Sequence, residues 1–151
     1  MEKRYIGWQE FGRLAELLSQ LVKERFKVDL VIGIARGGLP VSLVVADRLG
    51  VPIDFINVKS YRGMGVRGRP KILSTLSEDL SDRSVLVVDD LVDEGDTMET
   101  VLDFIKKNFS AKEVHTATLF IKPWSRFKPN AFLDVVEEWI VFPWELGEFG
   151  E

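Results

Sequence analysis

The run Val85-Leu86-Val87-Val88-Asp89-Asp90-Leu91-Val92-Asp93-Glu94-Gly95-Asp96-Thr97 passes from apolar residues through paired carboxylates into a glycine turn. Acids, a glycine and a hydroxyl in that order suit a phosphorylated sugar. At the carboxyl end of a buried strand, Asp89 and Asp90 can accept hydrogen bonds from sugar hydroxyls. They can also hold a hard cation such as Mg2+, which takes oxygen donors and lets substrate phosphates complete its shell. Strand alternation should send their side chains to opposite faces. Gly95 lets the backbone approach a ligand closely, and the N–H groups opening the next helix, with its positive dipole end and the Thr97 hydroxyl, make a cradle for an anion.

The elements that must position these groups are legible around them. Met98, Val101, Leu102 and Ile105 recur at i, i+3, i+4 and i+7, which predicts a helix, and Asp96 with Glu99 reads as its capping box. The competing interpretation is a solvated turn, since Asp and Gly are ordinary turn residues. A nucleoside-triphosphate loop is disfavoured, because the segment has no GxxxxGK[ST] and no lysine in the turn. Upstream, Val28 to Ile34 reads as a second buried strand, followed by the turn Ala35-Arg36-Gly37-Gly38. A helix then starts with Pro40 in its first turn, carries Leu39, Leu43, Val44 and Leu49, and ends at Gly50. Arg36 adds a fixed charge able to grip two oxygens. Taken alone, this segment is equally an ordinary strand–helix connection whose glycines make room for packing.

Two further segments carry charge or aromatic surface. Lys59 to Lys71 holds Lys59, Arg62, Arg67, Arg69 and Lys71 among three glycines and no acid. Such a loop beside a polyphosphate site reads as a lid that excludes water, and otherwise as a solvated hairpin tip or a nucleic-acid contact. Near the C-terminus, Glu113 to Ile121 reads as a strand, Lys122-Pro123 ends it, and Trp139-Ile140-Val141-Phe142-Pro143-Trp144 follows. An aromatic face with a lysine can hold a base. The ammonium donates and cannot accept, so it suits a carbonyl oxygen, favouring 6-oxopurines over adenine. The alternative makes Trp139 and Trp144 core or interface aromatics and Lys122 an exposed side chain.

The segment Val85 to Thr97 resembles the thirteen-residue signature of the type I phosphoribosyltransferases, which bind phosphoribosyl pyrophosphate (PRPP). The FxKP, WI and PWE elements further resemble the 6-oxopurine, xanthine-guanine branch of that family, so the likeness runs from Val28 to Glu145. It implies a transferase that moves the 5-phosphoribosyl group from PRPP to xanthine, guanine or hypoxanthine with release of pyrophosphate, using Mg2+ at Asp89 and Asp90. By the same resemblance, PRPP is held by Arg36, Gly37 and Gly38 at its pyrophosphate, through a cis peptide joining Ala35 to Arg36. Asp89, Asp90 and the turn Asp93, Glu94, Gly95, Asp96 and Thr97 hold the rest. Asp93 is the catalytic acid/base near purine N7. Ser60 and Tyr61 match the mobile loop, with Arg67 and Arg69 as its phosphate contacts. Lys122 meets O6, Trp139 stacks on the ring, and the main chain at Trp139 and Ile140 reads the edge near C2. The family usually has a small hydroxyl residue where this chain has Glu94, and Asp96 adds a second acid beside the glycine. Like charge there would oppose phosphate, so both side chains should point away.

The remaining features bound this reading. The chain has 151 residues, net charge −4 and 46% hydrophobic residues, which fits one domain over 1–151. No apolar run reaches membrane-span length, no signal-peptide core follows Met1 and there is no Cys, so a cytoplasmic protein is expected. His115 falls in a strand pattern and reads as packed. Phe11, Leu14, Leu18, Leu21 and Val22 predict an amphipathic helix over Trp8 to Phe26. Strands near Val28 to Ile34, Ile53 to Val58, Val85 to Asp89 and Val114 to Ile121 predict an α/β fold. Its mostly parallel twisted sheet should be flanked by helices, with the Trp139 segment as a small C-terminal hood. The expected partners are PRPP, a 6-oxopurine and further copies of the chain as a homodimer or larger assembly; no nucleic acid is expected from a pI near 5.2. A competing class is a PRPP-sensing regulator that binds nucleic acid or protein without catalysis. A transferase for another base is the alternative among enzymes.

Overall fold

Parallel pairing of alternately buried strands organises the chain, seen in a computed structural model that describes residues 2–59 and 69–149. In chain order the elements are β1 (Lys3–Tyr5), α1 (Trp8–Arg25), β2 (Leu30–Ala35), α2 (Leu39–Leu49), β3 (Ile53–Lys59) and β4 (Lys71–Ile72). There follow β5 (Ser84–Val92), α3 (Asp96–Asn108), β6 (Glu113–Ile121), β7 (Ala131–Val135), β8 (Trp139–Val141), a 3-10 turn (Pro143–Glu145) and α4 (Leu146–Phe149). Six strands form one sheet in the order β4-β3-β2-β5-β6-β7. Among the described strands of this sheet, only the β3–β4 pair is antiparallel. The described helices include none long and apolar enough to cross a membrane.

The central strands are buried on both sides, and their residues alternate between two cores. Leu86 and Val88 of β5 pack with Phe11, Leu14, Leu18 and Val22 of α1 and with Val41 and Val45 of α2. Val85 and Val87 face the other way, against Met98, Val101 and Ile105 of α3 and Leu76 and Leu80 of the preceding connection. Period 2 in the strand thus meets period 3.6 in each helix, and each fully buried aliphatic side chain contributes about 1.5–3 kcal/mol. In α2 the buried face is Val41, Ser42, Val45 and Ala46. Leu43, read as one of that helix's supporting apolar positions, is 59% exposed. His115 is packed as expected, its ring 4.3 Å from and stacked on Phe26.

Three strands carry no sequence signal strong enough to read. β7 adds to the sheet edge beside β6, and β4 falls in the stretch read as part of the basic loop. β1 leaves the main sheet to pair in parallel with β8, Lys3 opposite Trp139 and Tyr5 opposite Val141. The hood is therefore built from both ends of the described chain. Its 3-10 turn and α4 complete it.

Candidate active site

Sheet order locates the site before any side chain is considered. From β2 the chain crosses to β3 on one side and later returns to β5 on the other, so the order reverses between β2 and β5. Open sheets bind ligands in the crevice beyond the carboxyl ends of the strands at such a reversal. Here the two strands separate: β2–β5 pairing stops at Gly33 opposite Val88, whereas β5 continues beside β6 as far as Val92 opposite Ile121. The strand ends later than its expected boundary at Asp89. Asp89 and Asp90 consequently lie within β5, on the stretch that β2 has left. Each turns a carboxylate oxygen back to the next amide: Asp90 N–H donates to Asp89 Oδ1 at 2.8 Å, and Leu91 N–H to Asp90 Oδ1 at 2.6 Å.

The first turn flanks this crevice from β2. The peptide joining Ala35 to Arg36 is cis. Gly38 donates its N–H to the Ile34 carbonyl at 2.8 Å and caps α2, with Pro40 in the first turn of that helix. A Cβ on Gly38 would stand 2.7 Å from the Ile34 carbonyl oxygen and 2.8 Å from that of Val88. A Cβ on Gly37 would come within 2.5 Å of Asp90 Oδ2. The glycines therefore let the turn press against β5, and the exposed Arg36 stands beside that contact.

The second turn flanks the crevice from β5. Gly95 has φ +107° and caps α3 without any side-chain capping bond, so the expected Asp96–Glu99 capping box is not formed. Asp96 lies inside the helix, one position too late to cap it. Both acids bind Arg126 instead: its guanidinium pairs with Asp96 and, at 2.9 Å, with Glu99. Hydrogen bonding to Asp96 is the main cause that holds the Arg126 guanidinium above its ordinary pKa. The Asp96 charge is thus met by a cation; the Glu94 carbonyl accepts from Arg126 N–H at 3.3 Å. Gly95 serves packing, since a Cβ there would lie 2.6 Å from Phe127 Cβ.

Between the turns and the hood lies a hollow lined by Asp90, Leu91, Asp93, Lys122, Trp139 and Ile140, closed by Phe142, Glu145 and Phe149. Lys122 is 5% exposed, which removes the reading of it as a surface side chain. Its ammonium donates to the main-chain carbonyls of Glu138 and, at 3.4 Å, Glu137. Trp139 meets Phe149 edge to face at 5.5 Å, while Trp144 stacks on Phe142 at 4.8 Å, away from the hollow's lining. Asp93 Oδ1 accepts a hydrogen bond from Trp124 Nε1 at 2.7 Å.

Of the residues predicted for the site, Asp90, Asp93, Lys122, Trp139 and Ile140 line this one hollow, and the glycines of the two turns lie outside its lining. Ser60, Tyr61 and Arg67 lie outside the described residues; Arg69 is exposed and borders a surface depression shared with Asp96, Glu99 and Arg126. The segment Trp124 to Phe127 was not foreseen as part of the site, although a tryptophan directly after Lys122-Pro123 in a polar stretch is a visible oddity. Among the described residues no cluster of three or more His, Cys, Asp or Glu could hold a metal by itself. Asp89 and Asp90 offer two adjacent carboxylates on the stretch of β5 that β2 has left, which fits a cation that draws its other ligands from water and substrate phosphates.

A model of the phosphoribosyl transferase domain matches residues 7–148. The chain belongs to the phosphoribosyltransferase family. A xanthine-guanine phosphoribosyltransferase of Nitratidesulfovibrio vulgaris (strain DP4) is 32% identical over 143 residues, covering 93% of this chain and 83% of the relative. One from Ruegeria sp. (strain TM1040) is 32% identical over 155 residues, covering 94% and 85%. Among solved phosphoribosyltransferases, the purine enzyme of Pyrococcus horikoshii Ot3 is 39% identical with a TM-score of 0.85, covering 95% of each chain. The Helicobacter pylori xanthine-guanine-hypoxanthine enzyme is 27% identical with a TM-score of 0.83, covering 97% of this chain and 96% of that one.

Proposed function

We propose that this phosphoribosyltransferase makes purine nucleotides by salvage, joining N9 of a 6-oxopurine to the anomeric carbon of PRPP as the bond to pyrophosphate breaks. The observation that carries this reading is the placement of Lys122, Asp93 and Trp139 around one hollow at the mouth of the β2–β5 crevice. A buried ammonium held by two carbonyls donates to a ring carbonyl at O6 and has no acceptor for an exocyclic amine. Asp93 takes the proton from N7, which makes N9 more nucleophilic. Trp139 offers its face to the ring, and the main chain of Trp139 and Ile140 borders the purine edge.

The two turns divide the other substrate between them. Arg36 with the amides around Gly37 and Gly38 receives the pyrophosphate, where negative charge grows as the bond breaks. The turn from Asp93 to Thr97 holds the 5-phosphate at the start of α3, so that binding energy fixes the ribose for attack. Glu94 and Asp96 leave the cradle itself to main-chain N–H groups and the Thr97 hydroxyl. Mg2+ bound through Asp89 and Asp90 would neutralise pyrophosphate charge and orient the ribose hydroxyls. Ser60, Tyr61, Arg67 and Arg69 belong, on this reading, to a lid over the leaving group, and a cytoplasmic location goes with it.

The deciding assay offers xanthine, guanine, hypoxanthine and adenine separately with PRPP and Mg2+ and follows nucleotide and pyrophosphate formation. Turnover of at least one 6-oxopurine and little of adenine is expected; adenine as the preferred base would refute the purine assignment. Asp93→Asn should depress kcat by about 10²-fold, within the range for a positioned acid/base, while PRPP affinity changes modestly. Normal kcat with lost PRPP affinity would remove Asp93 from that role.

A further inference from the structure

We propose that Trp124 is a positioning residue: its indole N–H fixes the Asp93 carboxylate, and its ring braces Lys122, so that one side chain sets the spacing of both purine-reading groups. This rests on the reading of Asp93 and Lys122 given above. Lys122-Pro123-Trp124-Ser125 is closed by Ser125 N–H donating to the Lys122 carbonyl at 3.1 Å, with proline at the second position, where its fixed φ suits a tight turn. That turn carries Lys122 into the hollow and leaves Trp124 outside its lining. From outside, Nε1 reaches Asp93 Oδ1 at 2.7 Å, and the indole ring centroid lies 5.6 Å from Lys122 Nζ.

Burial does not force this hydrogen bond. Trp124 is 50% exposed, so water could satisfy its N–H; the donor is spent on a carboxylate 31 residues away. Both ends are anchored. Ser125 Oγ bonds the Phe127 carbonyl at 2.7 Å and accepts from Phe127 N–H at 3.1 Å, while Arg126 N–H reaches the Glu94 carbonyl. A charge-assisted bond between two fixed segments selects one carboxylate rotamer and leaves Oδ2 for the substrate proton. O6 and N7 are neighbours on one edge of a 6-oxopurine, so the donor for one and the acceptor for the other must be held at a set separation. Trp124 touches both.

The test compares Trp124→Phe with Trp124→His in the full chain, each alone and with Asp93→Asn, by kcat, KM for base and PRPP, and melting temperature. Phenylalanine keeps a ring over Lys122 and loses the N–H. Histidine keeps an N–H two bonds beyond Cγ, where the indole nitrogen stands, and loses the second ring. Trp124→Phe should lower kcat about tenfold, below the roughly 10²-fold cost of a 1 Å misplacement, with both KM values within about twofold. Trp124→His should recover most of that loss. In the Asp93→Asn background Trp124→Phe should cost nothing further, because a carboxylate no longer takes the proton. Wild-type turnover by Trp124→Phe, an equal loss with Asp93 replaced, or a histidine variant as slow as the phenylalanine one would each overturn the proposal. If Asp93→Asn slows the enzyme and Trp124→Phe does not, this inference alone fails. If Asp93→Asn turns over normally, the reading of Asp93 fails and this one with it.

Discussion

The two glycine turns, proposed to hold the two ends of PRPP, are built by different means. After β2, the turn brings its own cation in Arg36, and its shape comes from glycines pressed against β5: Gly38 against the main-chain carbonyls of Ile34 and Val88, Gly37 against the Asp90 carboxylate. After β5, the turn has acids on both sides of Gly95 and no basic residue of its own. Its electrostatics and shape are corrected from a distant segment, with Arg126 pairing Asp96 and Glu99 and Phe127 packed on Gly95. One turn is built locally and the other is braced. On the proposed function the difference matters, because the first turn would face a leaving group whose charge changes, whereas the second would hold a phosphate that keeps its charge throughout and needs mainly a rigid seat.

Adding a methyl group separates the two constructions. Gly95→Ala should do the most damage, because an L residue at φ +107° costs about 1–3 kcal/mol and the contact with Phe127 Cβ adds a comparable overpacking penalty. Calorimetry should show a loss of about 4 kcal/mol, or roughly 8–16 °C in Tm for a chain of this size, together with weakened PRPP binding. Gly38→Ala keeps an ordinary φ of −81° and meets main-chain oxygens that cannot rotate away. It should cost about 1–3 kcal/mol from crowding alone and weaken pyrophosphate binding more than ribose 5-phosphate binding. Equal stability of the two variants would break the contrast, since strain at φ would then contribute nothing.

How far these features were legible depended on whether their cause was local. The strands β2, β3, β5 and β6, α1, α3 and the end of α2 at Gly50 followed from period and punctuation, and both turns from glycines after apolar runs. Asp96 misled because its spacing to Glu99 satisfies a capping pattern that the positive φ of Gly95 pre-empts, and because the partner that takes both acids, Arg126, is 30 residues away from Asp96. Lys122 could be read as a donor, but its burial depends on Glu137 and Glu138 folding back over it, which no local pattern states. β1 and β8 are each three residues long and form a two-stranded ladder with one another, so neither has a periodicity to detect. β7 is marked by Ala131, Phe132 and Leu133 with one buried edge, too short to stand out from the polar stretch around it.

Arg126 gives the smallest effect and the sharpest view of the braced turn. Its guanidinium is held cationic by Asp96 and Glu99, and being exposed the brace should be sensitive to salt. Replacing it by alanine leaves two carboxylates in the first turn of α3 without a cation, at the helix end where the 5-phosphate is proposed to sit. Repulsion between like charges should then raise the KM for PRPP severalfold and leave the KM for the base unchanged. Adding salt should narrow the gap between variant and wild type, because screening weakens the repulsion in the one and the ion pairs in the other. Asp96→Asn introduced beside Arg126→Ala removes one of the two charges and should restore part of the PRPP affinity. If Arg126→Ala disturbed base binding as much as PRPP binding, Arg126 would be acting through the Trp124 turn rather than through charge, and the two turns would differ in construction without differing in electrostatics.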